Sequence, residues 1–282
     1  MSSVNKGNCR QKKIFLLFFL FIISIHASSQ GDLLITPQRV VLEGNKQIEE
    51  IMVANIGLDT AFYAISLIEY RMTDDGSLQE ITEPVPGQKF ASPILRYFPR
   101  SIELAPNESQ VVRVQVRRMP NQEEGEYRSH LYFRGEPQQE PLGREAEADT
   151  TGVGIRLIPI HGISIPVIVR IGDLTASCTI SDISFERNDG QPPTLKFVLN
   201  RQGSKSVYGD ISVDYIDAQG TRTNVGLVRG LAVYTPNTVR RISIPLTAPE
   251  GVQFNRGKFV IRFTDANEAK SQLFDEKEWA LP

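Results

Sequence analysis

The chain has 282 residues, 31 Lys+Arg against 33 Asp+Glu, 40% apolar side chains, 3 histidines and 2 cysteines, which is enough apolar material for two packed domains. A near-neutral balance without a basic tract excludes a protein built to neutralise phosphates, so nucleic-acid binding is not expected. The histidines stand isolated, and no Gly-x-Ser-x-Gly elbow or phosphate-cradling glycine loop is present; the expectation is a protein with no metal, no cofactor and no catalytic site.

At the start of the chain, Lys6, Arg10, Lys12 and Lys13 precede an apolar run from Ile14 to Ile25, followed by Ala27, Ser28 and Ser29. This is the layout of a secretory signal peptide. The run is well short of the roughly 20 residues that cross a bilayer. Residues 1–29 therefore read as a removed leader, with Gln30 as the first mature residue and no membrane span afterwards; a retained anchor is the alternative. Loss of the four basic residues leaves the remainder more acidic than the full chain. Cys9 leaves with the leader, and Cys178 alone cannot close an internal disulfide.

From there the pattern has a period of two, which puts one face of an extended strand in a core and the other in water. Phe62, Ala64, Ser66, Ile68 and Tyr70 alternate with Tyr63, Ile65, Leu67 and Glu69, with bulk on both faces. Val112, Val114 and Val116 alternate with Arg113 and Gln115, a one-sided strand. Tyr127, Ser129, Leu131 and Phe133 alternate with Arg128, His130, Tyr132 and Arg134, again with bulk on both sides. Gly57, Asp74-Asp75-Gly76, Pro106-Asn107 and Gly125 supply the turns. Carboxylate pairs such as Asp74-Asp75 and Glu123-Glu124 lie in this turn-like context and read as solvated.

Residues 135–152 are rich in Pro and Glu and nearly devoid of apolar side chains, which reads as a long acidic loop. An apolar stretch from Val153 to Ile171 follows, and Gly172-Asp173 reads as a domain junction. Beyond it, Leu195, Phe197 and Leu199; Ile211, Val213 and Tyr215; Ile242, Ile244 and Leu246; and Phe259, Ile261 and Phe263 each mark one face of a strand. Short strands with recurring turns and no helical crossovers give an all-β protein of two immunoglobulin-like β-sandwich domains in tandem, residues 30–171 and 172–282. Trp279 has no place in this pattern.

Several segments of the first domain resemble the PapD-like periplasmic chaperones that assemble pili and fimbriae. They are Ile35–Gly44 (ITPQRVVLEG), Val53-Ala54-Asn55, Ser101–Val116 (SIELAPNESQVVRVQV), Glu126–Phe133 (EYRSHLYF) and Ile163–Arg170 (ISIPVIVR). The resemblance runs from about Leu33 to Arg170 and rests on the order and spacing of these segments. It implies a periplasmic chaperone that lends an edge strand to subunits of a pilus or surface assembly, with or without an outer-membrane usher. In that family an arginine on the first strand and a lysine on the last strand of domain one hold the subunit's terminal carboxylate. Arg39 matches the arginine; an ordinary strand arginine is its other reading. With Arg170 aligned on the family's arginine, Pro166 stands where the lysine would be, and proline has no N–H for a strand ladder. Val153, Ile155 and Leu157 are the candidate donor residues, or else members of a plain core strand. A structural or adhesive cell-envelope protein, resident at the cell surface, is the second reading of the scaffold.

Overall fold

The computed structural model describes residues 33–117, 122–136, 160–187, 190–248, 254–266 and 272–281. The leader and the donor candidates Val153, Ile155 and Leu157 lie outside the described residues, as does most of the acidic segment.

The first domain contains eleven described strands. They are β1 (Leu33–Thr36), β2 (Val40–Glu43), β3 (Ile48–Asn55), β4 (Ala61–Ile68), β5 (Tyr70–Met72), β6 (Leu78–Glu80), β7 (Leu95–Phe98), β8 (Ser101–Leu104), β9 (Ser109–Val116), β10 (Gly125–Glu136) and β11 (Gly162–Ile171). One sheet runs β1-β3-β9-β7, and the facing sheet runs β2-β11-β10-β4-β8, while β5 and β6 pair only with each other. The chain is all-β, two immunoglobulin-like sandwiches, and among the described residues its only helical turn is a 3-10 turn at Ser92–Ile94. No helix among them is long and apolar enough to cross a membrane.

Period-two alternation produces this arrangement directly. On β9, Val112, Val114 and Val116 enter the core while Arg113 and Gln115 face water. Opposite them, Leu131, Phe133, Val167 and Val169 fill the same core from β10 and β11. The buried Asn55 ends β3 by binding two loops at once: its side-chain amide donates to Asp59 O and Leu104 O, and its carbonyl accepts the Gly57 amide. An apolar residue there would leave those loop groups unpaired.

Gly135 and Glu136 belong to β10 and not to the acidic loop, because they pair with Tyr63 and Phe62 on β4.

The second domain comprises β12 (Ala176–Glu186), β13 (Thr194–Gly203), β14 (Val207–Asp217), β15 (Arg222–Val233), β16 (Val239–Pro245), β17 (Gly257–Asp265) and β18 (Leu273–Ala280). A β12-β13-β16 sheet faces a β15-β14-β17-β18 sheet across a core that includes Leu195, Phe197, Ile211, Val213, Phe259 and Phe263. Trp279 finds its place on β18, where its ring stacks on Phe259 at 6.4 Å between centroids.

The outward face of β10 and β11 is not wet, which explains the two-sided bulk of β10. Val41 and Ile168 from the first domain pack with Ala232, Tyr234 and Tyr208 of the second, and Met72 of β5 joins them. The second sandwich thus covers one sheet face of the first, and polar residues on that face are drawn into the junction.

Candidate functional site at the domain junction

Arg39 lies in the three-residue crossover by which the chain leaves β1 in one sheet and enters β2 in the other. Because β2 runs parallel to β11 with Val40 beside Val167, the position next to Arg39 on β11 is Pro166. Pro166 in turn faces His130 on β10. One row across three strands therefore reads arginine, proline, histidine. The Arg39 guanidinium reaches the second domain, with Cζ 4.3 Å from the centre of the Tyr208 ring. Burial pulls it below the usual arginine range, with Tyr234 acting against that and Arg170 adding to it.

On β10, Glu126, Arg128 and His130 alternate toward the junction. Arg128 is 2% exposed and His130 1%. The Arg128 guanidinium lies 4.1 Å from the centre of the Tyr234 ring, and its Nη2 donates to Tyr70 O at 3.1 Å. His130 meets Tyr70 and Tyr234 edge-on at 4.9 and 6.5 Å. Burial, with the Arg128 charge beside it, drives the imidazole down to about 3, so it is neutral. Arg128 is likewise pulled below the arginine range, chiefly by burial.

These groups share a further property. Among the described residues, every buried side-chain nitrogen or oxygen without a hydrogen-bond partner belongs to Arg39, Glu69, Gln88, Arg128, His130 or Arg240. Gln88 and Arg128 both donate to Tyr70 O, Glu69 accepts the Ser129 hydroxyl, and Arg240 interacts with Tyr234. All six thus surround one junction built around Tyr70 and Tyr234. Unpaired donors outnumber acceptors here: Arg39 Nε and Nη2 and Arg128 Nε and Nη1 are all free. Forked guanidinium donors of this kind fit an oxyanion with two acceptor atoms, such as a carboxylate. Among the described residues no group of His, Cys, Asp and Glu is assembled as a metal site.

The β11 edge beside this cluster is half occupied. β2 covers Val167–Arg170, and among the described residues nothing pairs with Gly162–Pro166 on that side. Ile163 is 37% exposed there, and Ile160 just before the strand is 48% exposed.

The sequence singled out Arg39 as a candidate, and the structure places it at the domain junction against Tyr208. Arg128, His130, Tyr208 and Tyr234 were not singled out as site residues, because their partners lie on strands of the other domain. The signal available was β10's second face, too bulky for a water-facing one.

The fold and the junction define a tandem-sandwich protein whose domains meet over buried basic side chains. Among solved structures, those similar to it include PapD-like pilus chaperones. One is a chain of the CsuC–CsuE chaperone–tip adhesion subunit pre-assembly complex of Acinetobacter baumannii, at 13% identity and TM-score 0.46, covering 87% of this chain and 98% of that one. A second is a chain of the complex of the SafB chaperone with SafA pilin from Salmonella enterica, at 13% identity and TM-score 0.43, covering 90% and 99%. A third is the CupB2 chaperone of Pseudomonas aeruginosa, at 13% identity and TM-score 0.41, covering 88% and 98%. No protein-family model and no curated protein matches the sequence.

Proposed function

We propose that the protein is a periplasmic chaperone that binds subunits of a pilus or surface assembly by strand addition at β11, and that it works by binding and not by catalysis. The observation that carries this reading is the alignment of the open β11 edge with Arg39. A guest strand running parallel to β11 beside Gly162–Pro166 is collinear with β2 and ends where β2 begins, so its terminal carboxylate meets Arg39. Backbone hydrogen bonds would supply affinity and the carboxylate would fix register. Pro166 contributes no amide to such a ladder. The second cation comes instead from Arg128 on the neighbouring strand. The donor candidates Val153, Ile155 and Leu157 precede this edge in the chain, and an outer-membrane usher is the further partner such a chaperone would have.

The alternative, a resident structural or adhesive envelope protein, draws support from the apolar side chains Leu34, Met52, Val111 and Phe98, exposed on the outer face of the β1-β3-β9-β7 sheet.

The readings separate on capture of a subunit. Exported wild-type protein should be recovered with a β-rich subunit in one-to-one complex, and Arg39→Ala should lose that subunit while melting normally. Equal recovery by Arg39→Ala would remove the anchoring role. Permanent residence in a surface fibre would favour the alternative.

A further inference from the structure

The β5–β6 hairpin belongs to neither sheet of its domain. It leaves β4 and lies against the second domain. Its tip docks on β16: the Arg241 amide donates to Asp74 O at 2.6 Å, and Gly76 sits so close to Arg240 that a Cβ there would overlap the guanidinium. The tip is acidic, Asp74-Asp75, and it faces Arg240 and Arg241. At the base, Met72 is buried against Ile168, Ala232 and Tyr234. The Tyr70 carbonyl takes Arg128 Nη2, and the Tyr70 ring covers His130. The hairpin therefore fills the space beside the unpaired donors.

We propose that this hairpin is a lid over the buried basic junction, which an incoming chain terminus displaces to reach Arg128 and His130. This rests on the reading of Arg39 and Arg128 as a carboxylate site. The closed state is self-limiting: it keeps Arg128 and His130 dry while leaving Arg128 Nε and Nη1 and both His130 ring nitrogens unpaired, and an unmade buried donor is costly. An oxyanion in place of Tyr70 would satisfy them. The tip is held by a single backbone bond to β16 and the base by Met72, the Tyr70 carbonyl and the Tyr70 ring, while β6 is exposed along its length; a hairpin outside both sheets is the kind of segment that opens locally. The Arg241 amide points away from β13, so the lid uses the free edge of β16 and can leave without disturbing that sheet.

The test uses a fluorescent decapeptide of alternating valine and threonine with a free terminal carboxylate, and its amidated twin. Asp74→Cys with Arg241→Cys, at the two residues joined by the tip hydrogen bond, serves to lock the lid when oxidised. Arg241→Pro deletes the latching donor at an edge position where proline is tolerated. The proposal expects the oxidised lock to weaken peptide binding about tenfold or more, with recovery on reduction. Arg241→Pro should bind more tightly than wild type, and hydrogen exchange across Tyr70–Glu80 should rise when peptide is bound. If the lock changes nothing while Arg39→Ala abolishes binding, the site stands and the lid is wrong. Should the reduced double-cysteine form itself fail to bind, unchanged affinity of Arg241→Pro overturns the lid. Wild-type protein that does not distinguish carboxylate from amide overturns both readings.

Discussion

The Glu126 carboxylate of the first domain accepts the backbone amide of Ser206 in the second at 3.0 Å and also its hydroxyl. Arg170 Nε donates to the same carboxylate at 3.0 Å while its Nη1 reaches Glu43, and Thr235 adds a hydroxyl bond. Glu126 is therefore the knot that ties the two sandwiches, at one end of the row of β10 side chains that also carries Arg128 and His130.

Removing one partner of a buried ion pair leaves the other charge exposed to a dry interior, at a cost on the order of 3 kcal/mol. Glu126→Ala should lower stability by about that amount and loosen the junction more than either core, since the carboxylate's partners lie at the domain boundary. Chemical denaturation should show two transitions where wild type shows more cooperative loss, and solution scattering should show a wider spread of domain orientations. A variant that unfolds as wild type does would mean that apolar packing around Ile168 and Tyr234 alone sets the junction.

His130 supplies a pH dependence with a definite sign. Its proton affinity falls from the ordinary 6.5 to about 3 on folding, so below pH 6.5 the unfolded chain binds a proton that the native protein refuses. Its contribution is fully present above pH 6.5 and is lost as pH falls toward 3, amounting to on the order of 5 kcal/mol at the acid end. His130→Phe keeps a ring between Tyr70 and Tyr234 and removes the titration. Its stability should be flatter than wild type between pH 6.5 and 4, measured by denaturant midpoints; parallel curves would place the acid sensitivity elsewhere.

Elements that obey a local pattern were readable from the sequence, and those decided across domains were not. Val112, Val114 and Val116 announce a one-sided strand because their burial follows from alternation alone. Arg39 could be singled out as a candidate because it stands in a distinctive local segment. The segment of Arg128 and His130 shows bulk on both faces, but what covers the second face is settled only when a second sandwich is laid over it. Tyr234 reads as corner chemistry in a Val-Tyr-Thr-Pro turn, although its ring is the common neighbour of Arg128 and His130. The Asp74-Asp75-Gly76 turn was legible as a turn. That it reaches β16, and that the Arg240 guanidinium lies on Gly76, depends on a packing no window of the sequence contains.

Cys178 offers a clean reporter for the second domain. Burial, with the Asp275 charge adding to it, pushes its thiol up to about 12, so almost none is thiolate near neutral pH and thiolate is the reactive form. Iodoacetamide should leave Cys178 unmodified in the native protein and label it at the denaturant concentration where the second domain opens, read by mass spectrometry. Rapid labelling under native conditions would show that β12 frays from its sheet.

Arg128 separates stability from binding most sharply. Its guanidinium is almost wholly buried, with Nε and Nη1 unpaired; one hydrogen bond to Tyr70 O and the face of Tyr234 are its compensation. Methionine has a similar length and no charge to desolvate, and replacement of buried ionic groups by apolar ones of like size is often neutral or stabilising. Tyr70 O would still be served by Gln88 Nε2 at 2.9 Å. Arg128→Met should therefore be within about 1 kcal/mol of wild type or more stable, yet bind the carboxylate-terminated peptide much more weakly. Loss of stability by several kcal/mol would make Arg128 a structural pin, held by its stack on Tyr234, and would leave Arg39 to anchor a terminus alone.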